Sequence, residues 1–297
     1  MASSVVHKWL GAVHHRGKVW MCPYYETSVL VVDPERYLVG KVAVGSYGGA
    51  GYYAGTDLVG DKVVCTPYNS PHVLVLDTVT NGTSVVATGV GGSAKWIFGA
   101  VVGRKVYMCP GGSGVVGVYD GDGHSFTTVG SGIPKHHGCV AVGTRLVMPP
   151  RFSTIGVFDT VTNKYWTVAI PGPSGFFDDP CVYGTRVYMF PYTETEKSVL
   201  VYDSVTGVVG RVASVMSGRG PCIAYAGGYL VGAPMSSDQK VYIFDTHTNT
   251  TKEIISNIGY TSDNPTYYSY RGGVAVGNKV VVTPSTAKEV LVIELQL

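Results

Sequence analysis

The chain has 297 residues and a formal net charge of +2, and only 14% of its residues are charged, against about 25% in ordinary soluble proteins. Its 22 basic and 20 acidic side chains are interspersed, which excludes both the basic stripe of a nucleic-acid binder and the field that gathers an anionic membrane. A hydrophobic share of 45% excludes disorder, and no apolar run reaches the ~18 residues of a membrane span.

The chain opens with MASSVVHKWLG, which lacks a long apolar stretch behind a basic cluster, so no signal peptide is expected. The first regular segment surrounds Trp9–Val13, and KVWMCP (18–23) follows it. That second segment returns as KVVCTP (62–67), KVYMCP (105–110), RLVMPP (145–150), RVYMFP (186–191), YLVGAP (229–234) and KVVVTP (279–284). A second motif follows each copy, an apolar run ending in an acid: VLVVD (29–33), VLVLD (73–77), VGVYD (116–120), IGVFD (155–159), VLVYD (199–203), VYIFD (241–245) and VLVIE (290–294). Self-similarity at this period marks a repeat architecture.

Each unit contains four short β-type segments, rich in Val, Ile and Tyr and separated by Gly, Asn and Asp turns. No segment sustains a helical period. The third segment is apolar at nearly every position, so both its faces must be covered. Four-stranded antiparallel sheets packed face to face provide that cover. The expected fold is an all-β, seven-bladed β-propeller forming a single domain. Its blades are expected at roughly 7–44, 53–88, 97–130, 138–170, 180–214, 221–256 and 271–297. The last unit stops after its third strand, so residues 2–6 are expected to close the ring as its fourth.

The six acids Asp33, Asp77, Asp120, Asp159, Asp203 and Asp245 invite a catalytic reading. Each opens a turn, however, where an Asp carboxylate bonds backbone two residues on, so a structural role is expected. Cys22, Cys65 and Cys109 occupy matching places in successive repeats, as do Cys139, Cys181 and Cys222. They read as small buried apolar residues with free thiols. Free thiols point to a reducing compartment, so an intracellular, cytoplasmic location is expected. Asn81 and Asn249 fit the glycosylation pattern but read as turn residues.

The units resemble YVTN-type propeller repeats and, more loosely, kelch repeats. RLVMPPRFSTIGVFDTVTNKYW (145–166) and KVVCTPYNSPHVLVLDTVTNGTSVV (62–86) carry the likeness. It implies the fold and no particular activity.

Second-to-third-strand loops and blade-joining loops are expected to share the binding face, the blade-joining loops gathering at the mouth of a central channel, where function sits on loops held by a rigid scaffold. The blade-joining loops supply the candidate binding residues Trp9, Tyr53, Lys95, Trp96, His136, His137, Phe176, Phe177, Asp178, Asp179, Arg219, Tyr267 and Tyr268. Aromatics with Arg and few aliphatics have the makeup of interface anchors. The competing reading makes Trp9, Trp96 and Phe177 wedges between blades. His136 and His137 beside Asp178 or Asp179 suggest a metal or proton-sharing site, although neighbours on an extended chain point to opposite sides.

No nucleophile or phosphate-cradle motif is present. The expected function is a non-enzymatic scaffold or assembly subunit that binds protein, without cofactor, metal, nucleic acid or membrane. The alternatives are a carbohydrate-binding propeller, and a metal-dependent hydrolase or lyase near His136.

Overall fold

The computed structural model describes residues 7–48, 51–192, 196–214, 222–224, 226–234, 240–255 and 269–295. The chain divides into two compact units, Met1–Gly138 and Cys139–Leu297. Across them run seven antiparallel sheets, and the fold is an all-β seven-bladed propeller. The helical pieces among the described residues are two short 3₁₀ turns, Gly45–Tyr47 and Ala226–Gly228.

The first unit holds three blades. Blade 1 contains β1 (Trp9–His15), β2 (Lys18–Pro23), β3 (Ser28–Asp33) and β4 (Leu38–Ala43). Blade 2 contains β5 (Tyr53–Val59), β6 (Lys62–Pro67), β7 (His72–Asp77) and β8 (Thr83–Ala87). Blade 3 contains β9 (Trp96–Val102), β10 (Lys105–Pro110), β11 (Val116–Asp120) and β12 (Ser125–Val129).

The second unit holds four. Blade 4 contains β13 (Val140–Val142), β14 (Arg145–Met148), β15 (Thr154–Asp159) and β16 (Lys164–Ala169). Blade 5 contains β17 (Phe177–Tyr183), β18 (Arg186–Pro191), β19 (Ser198–Asp203) and β20 (Val209–Ala213). Blade 6 contains β21 (Cys222–Ala224), β22 (Tyr229–Gly232), β23 (Lys240–Asp245) and β24 (Thr250–Ile255). Blade 7 contains β25 (Tyr270–Val276), β26 (Lys279–Pro284) and β27 (Leu291–Glu294). The fourth strand expected from residues 2–6 lies outside the described residues.

The core forms between blades because the sheets are amphipathic only in pairs. Trp20, Cys22 and Val29 of blade 1 pack with Tyr53, Val63, Leu74 and Leu76 of blade 2. Blade 2 in turn meets blade 3 through Val64, Val75, Trp96 and Met108. In the second unit, Val147 and Val157 meet Val187 and Leu200, Phe190 meets Phe244, and Val231 meets Val280. The third strands β7, β11 and β15 are buried through their middles, whereas the fourth strands β4 and β16 are largely exposed. The apolar runs of the third strands are therefore explained by cover on both faces.

A second regularity sits in the first strands. In five blades an aromatic stands opposite the proline that ends the second strand: Trp9 faces Pro23, Tyr53 faces Pro67, Trp96 faces Pro110, Phe177 faces Pro191 and Tyr270 faces Pro284. A bulge follows each aromatic. Two residues beyond the aromatic, φ is positive at Gly11, Gly55, Phe98, Asp179 and Gly272. Gly55 is required doubly, since a Cβ there would lie 2.7 Å from Phe98 Cα of the next blade. The bulge re-aims the start of each first strand, which is how these strands deliver residues to one end of the sheet.

The six aspartates do what their turn positions dictate. Oδ1 of Asp77 accepts from the Val79 and Thr80 amides, both at 2.9 Å, and Asp33, Asp120, Asp159, Asp203 and Asp245 repeat the pattern. These backbone donors hold the carboxyls of Asp77, Asp120, Asp159, Asp203 and Asp245 below the usual range.

The cysteines depart from expectation. Cys109 and Cys139 are buried free thiols, but Cys22 and Cys65 form a disulfide across 43 residues, and Cys181 is disulfide-bonded too. The cause is the repeat itself. Equivalent positions on neighbouring blades come within bonding reach, here with Cα atoms 5.6 Å apart. The free-thiol premise behind the expected reducing compartment does not hold for these three residues.

Candidate functional site

In the first unit a belt of backbone hydrogen bonds runs along the strand ends where the bulges lie. Tyr24 N donates to Lys8 O at 2.7 Å, Tyr52 N to Tyr24 O at 3.0 Å, Tyr68 N to Tyr52 O at 2.7 Å, and Lys95 N to Tyr68 O at 2.9 Å. Gly111 N continues it to Lys95 O at 2.8 Å. The belt alternates between residues just before a first strand (Lys8, Tyr52, Lys95) and residues just after a second-strand proline (Tyr24, Tyr68, Gly111).

This belt links three half-buried tyrosines, Tyr24, Tyr52 and Tyr68, and the Tyr52 ring turns to the core, meeting Tyr53 at 6.3 Å. The Tyr24 and Tyr68 rings lie 5.7 Å apart, and Tyr24 also meets Tyr25 at 4.9 Å and His7 at 5.9 Å. Beneath them, Asn69 Oδ1 accepts from Ala94 N at 2.9 Å, which holds the loop leading to Lys95. Lys95 is only 2% exposed. Its Nζ donates to Gly92 O at 3.3 Å and stands 5.9 Å from the Trp96 ring centroid. Burial pushes its ammonium below the usual lysine range.

Of the expected aromatics, Trp9, Tyr53, Trp96 and Phe177 are buried, and Tyr53, Trp96 and Phe177 wedge between neighbouring blades. Trp9 Nε1 donates to Ser28 O and Trp96 Nε1 to Val115 O, both at 2.9 Å. The Tyr53 hydroxyl accepts from Ser70 Oγ at 3.2 Å, and burial pushes it up to about 12. Tyr24 and Tyr68 carry the surface instead. The sequence places their second-to-third-strand loops on the binding face but singles out no residue there, because the positions after the prolines carry no motif of their own.

His136 is buried with its amide donating to Pro110 O at 2.8 Å, and His137 is half-buried. Among the described residues no group of three or more His, Cys, Asp or Glu side chains comes together to hold a metal. Arg219, Tyr267 and Tyr268 lie outside the described residues.

The second unit gathers charge at the matching place. Asp178 and Asp179 occupy the bulge of β17 and are buried. Asp178 Oδ2 accepts from Arg271 Nη2 at 3.2 Å, and its Oδ1 accepts from the Asp179 amide at 3.1 Å. Asp179 Oδ2 and Arg151 Nε are buried without hydrogen-bond partners. Burial, then the Asp179 charge, pushes Asp178 up to about 8, against the pull of Arg271 and Arg151. Burial likewise raises Asp179. The Arg151 guanidinium stacks 5.2 Å from the Phe176 ring centroid, and Phe176 meets Phe152 at 5.7 Å and Tyr192 at 6.0 Å. Arg211 pins the preceding linker, donating to Pro171 O at 2.6 Å and Glu196 Oε2 at 2.7 Å, with its guanidinium 5.5 Å from the Phe177 centroid.

A separate cavity of about 330 Å³ is lined by Tyr183, Arg186, Tyr188, Asp203 and His247. Its polar groups already engage one another or nearby backbone. Arg186 Nε lies 3.5 Å from Asp203 Oδ2, and His247 Nε2 lies 3.2 Å from Gly227 O.

No family model and no curated protein matches the chain. Solved structures do. The chain is similar to a virginiamycin B lyase from Staphylococcus aureus, a catalytically inactive variant with quinupristin, at 13% identity and a TM-score of 0.79, covering 99% of this chain and 97% of that one. A streptogramin B lyase matches at 12% identity and a TM-score of 0.77, covering 95% and 92%. A chain of a mitotic checkpoint complex matches at 12% identity and a TM-score of 0.67, covering 96% and 85%. The likeness is one of fold. Propellers of this shape serve both a lyase and a multi-protein assembly, so the chain's own surface must decide between such roles.

Proposed function

We propose that this protein is a non-enzymatic propeller that binds a protein partner through the tyrosine belt of its first unit. The observation that carries the reading is the backbone relay from Lys8 through Tyr24, Tyr52 and Tyr68 to Lys95. Tyrosine offers large contact area at low entropic cost and is enriched in binding surfaces. Anchors already held in place save the ordering cost that association otherwise carries. The mitotic checkpoint neighbour supports the idea that such a scaffold can sit in a multi-protein complex.

The test is quantitative capture from the native source, using wild type and a Tyr52→Ala/Tyr68→Ala variant in parallel. The reading expects one or more proteins enriched by wild type and depleted about tenfold with the variant, as loss of hot-spot anchors produces. Identical capture by both forms overturns it.

A further inference from the structure

We infer that Asn81 and Asn249 are N-glycosylation sites and that the protein matures in an oxidising compartment, where an oligosaccharide is transferred onto their side-chain amides. Three repeats carry an asparagine at one place in the turn from third to fourth strand: Asn81 in DTVTNGT (77–83), Asn163 in DTVTNKY (159–165) and Asn249 in DTHTNTT (245–251). Each is exposed and has a positive φ, 58°, 55° and 55° in that order. The turn explains the asparagine, a residue that tolerates the left-handed region. It does not dictate the residue two places on, which is Thr83 after Asn81 and Thr251 after Asn249 but Tyr165 after Asn163. Two of the three turns therefore carry the acceptor pattern Asn-x-Thr, and the third has the same backbone without it.

The turns hold their shape without the asparagine side chains. Asp77 Oδ1 takes the Val79 and Thr80 amides, Thr80 Oγ1 accepts from the Gly82 amide at 3.1 Å, and Asp77 N donates to Gly82 O at 2.9 Å. Asp245 Oδ1 likewise takes the His247 and Thr248 amides. Asn81, Gly82 and Thr83 are all exposed, as are Asn249 and Thr250. Lys62 stands opposite Asp77 and Tyr229 opposite Asp245, so each turn sits at the start of the second strand, remote from the proline that follows that strand. In blade 2 this is the end away from Tyr68, and a glycan on Asn81 leaves the tyrosine belt open. Being bulky and solubilising, it also shields Val79, which the turn leaves 56% exposed.

The disulfides are an independent observation. Cys22–Cys65 joins blades 1 and 2, and Cys181 is disulfide-bonded in the second unit. Such bonds form and persist in oxidising compartments, the setting in which the Asn-x-Thr pattern is an acceptor. The free thiols Cys109 and Cys139 are buried, which keeps them inert there. In the transfer, the carboxamide nitrogen forms a bond to the anomeric carbon of a lipid-pyrophosphate-linked oligosaccharide. The bond from that carbon to the pyrophosphate oxygen breaks. The lipid pyrophosphate leaves with the electron pair, and the amide proton passes to a base of the transferase.

The experiment is peptide mass spectrometry of the full chain purified from its native source. Treatment with an N-glycosidase in heavy-oxygen water turns each glycosylated asparagine into labelled aspartate. Label is expected at Asn81 and Asn249 and not at Asn163, and the intact protein is expected to lose the mass of its glycans on treatment. Variants made in the same cells separate the motif from the turn. Thr83 is exposed, so Thr83→Ala keeps the fold, and it is expected to abolish the label at Asn81 while Asn249 keeps its own. Thr83→Ser, which preserves the hydroxyl, is expected to retain the label at Asn81. Unlabelled Asn81 and Asn249 overturn the inference. So does equal label at Asn163, or a label at Asn81 that survives Thr83→Ala. Capture of a partner through Tyr52 and Tyr68 is a separate readout, so the proposed function stands or falls apart from this result.

Discussion

Arg271 on β25 donates from Nη2 to Asp178 Oδ2 on β17 at 3.2 Å, joining blades 5 and 7 across 93 residues of chain. Asp178 is buried with Asp179 beside it, and Arg271 is half-buried. A buried pair contributes little net stability, but removing one partner strands the other.

Arg271→Met is therefore expected to destabilise the protein at pH 9, where the Asp178 carboxyl is ionised in the fold, by up to about 1.4 kcal/mol for each pH unit above 8. Asp178 titrates near 8 in the fold, raised from 3.8, so the native state holds its proton across that window. Stability then falls as pH rises from about 4 towards 8. At pH 5 the carboxyl is already neutral, so the same substitution is expected to cost less. Denaturant melts of both forms at the two pH values check this. An equal loss at both would refute the electrostatic account.

Asp57 on β5 is the corresponding oddity of the first unit. It is buried and has a single long hydrogen bond, from Thr66 Oγ1 at 3.5 Å. Burial pushes it up from 3.8 to about 7. A raised carboxyl costs nothing below its unfolded pKa, and the penalty grows with pH until the folded pKa is passed. Asp57→Asn is expected to stabilise the protein above pH 7 by up to ~4 kcal/mol, with the gain gone by pH 4. Thermal melts across that range would show it.

The Cys22–Cys65 bond closes 43 residues between blades 1 and 2. Chain-entropy reasoning puts its contribution near 4 kcal/mol. A Cys22→Ala/Cys65→Ala variant is expected to lose about that amount in urea unfolding, and mass spectrometry of non-reduced peptides should find the 22–65 link.

The fold was legible in the sequence because the proline and Asp motifs recur in register, so strand order and turns follow from local rules. Asp77 illustrates this: its position alone predicts the two amide bonds it makes. Trp9 and Trp96 were legible as aromatics, but whether they wedge or present depended on which residue faces the strand-ending proline. Tyr68 and Tyr24 carry no local signal, since what gathers them is a hydrogen-bond relay between blades. The Cys22–Cys65 bond and the Asp178–Arg271 pair were hidden for the same reason. Both join repeat positions that only the closeness of blades brings together.

The central claim is that the tyrosine belt is ordered before any partner arrives. Hydrogen exchange of the free protein, read at the amides of Tyr24, Tyr52, Tyr68 and Lys95, tests this directly. The account predicts protection comparable to that of the β6 and β10 strand amides. Exchange at the rate of an open loop at these four positions would contradict it.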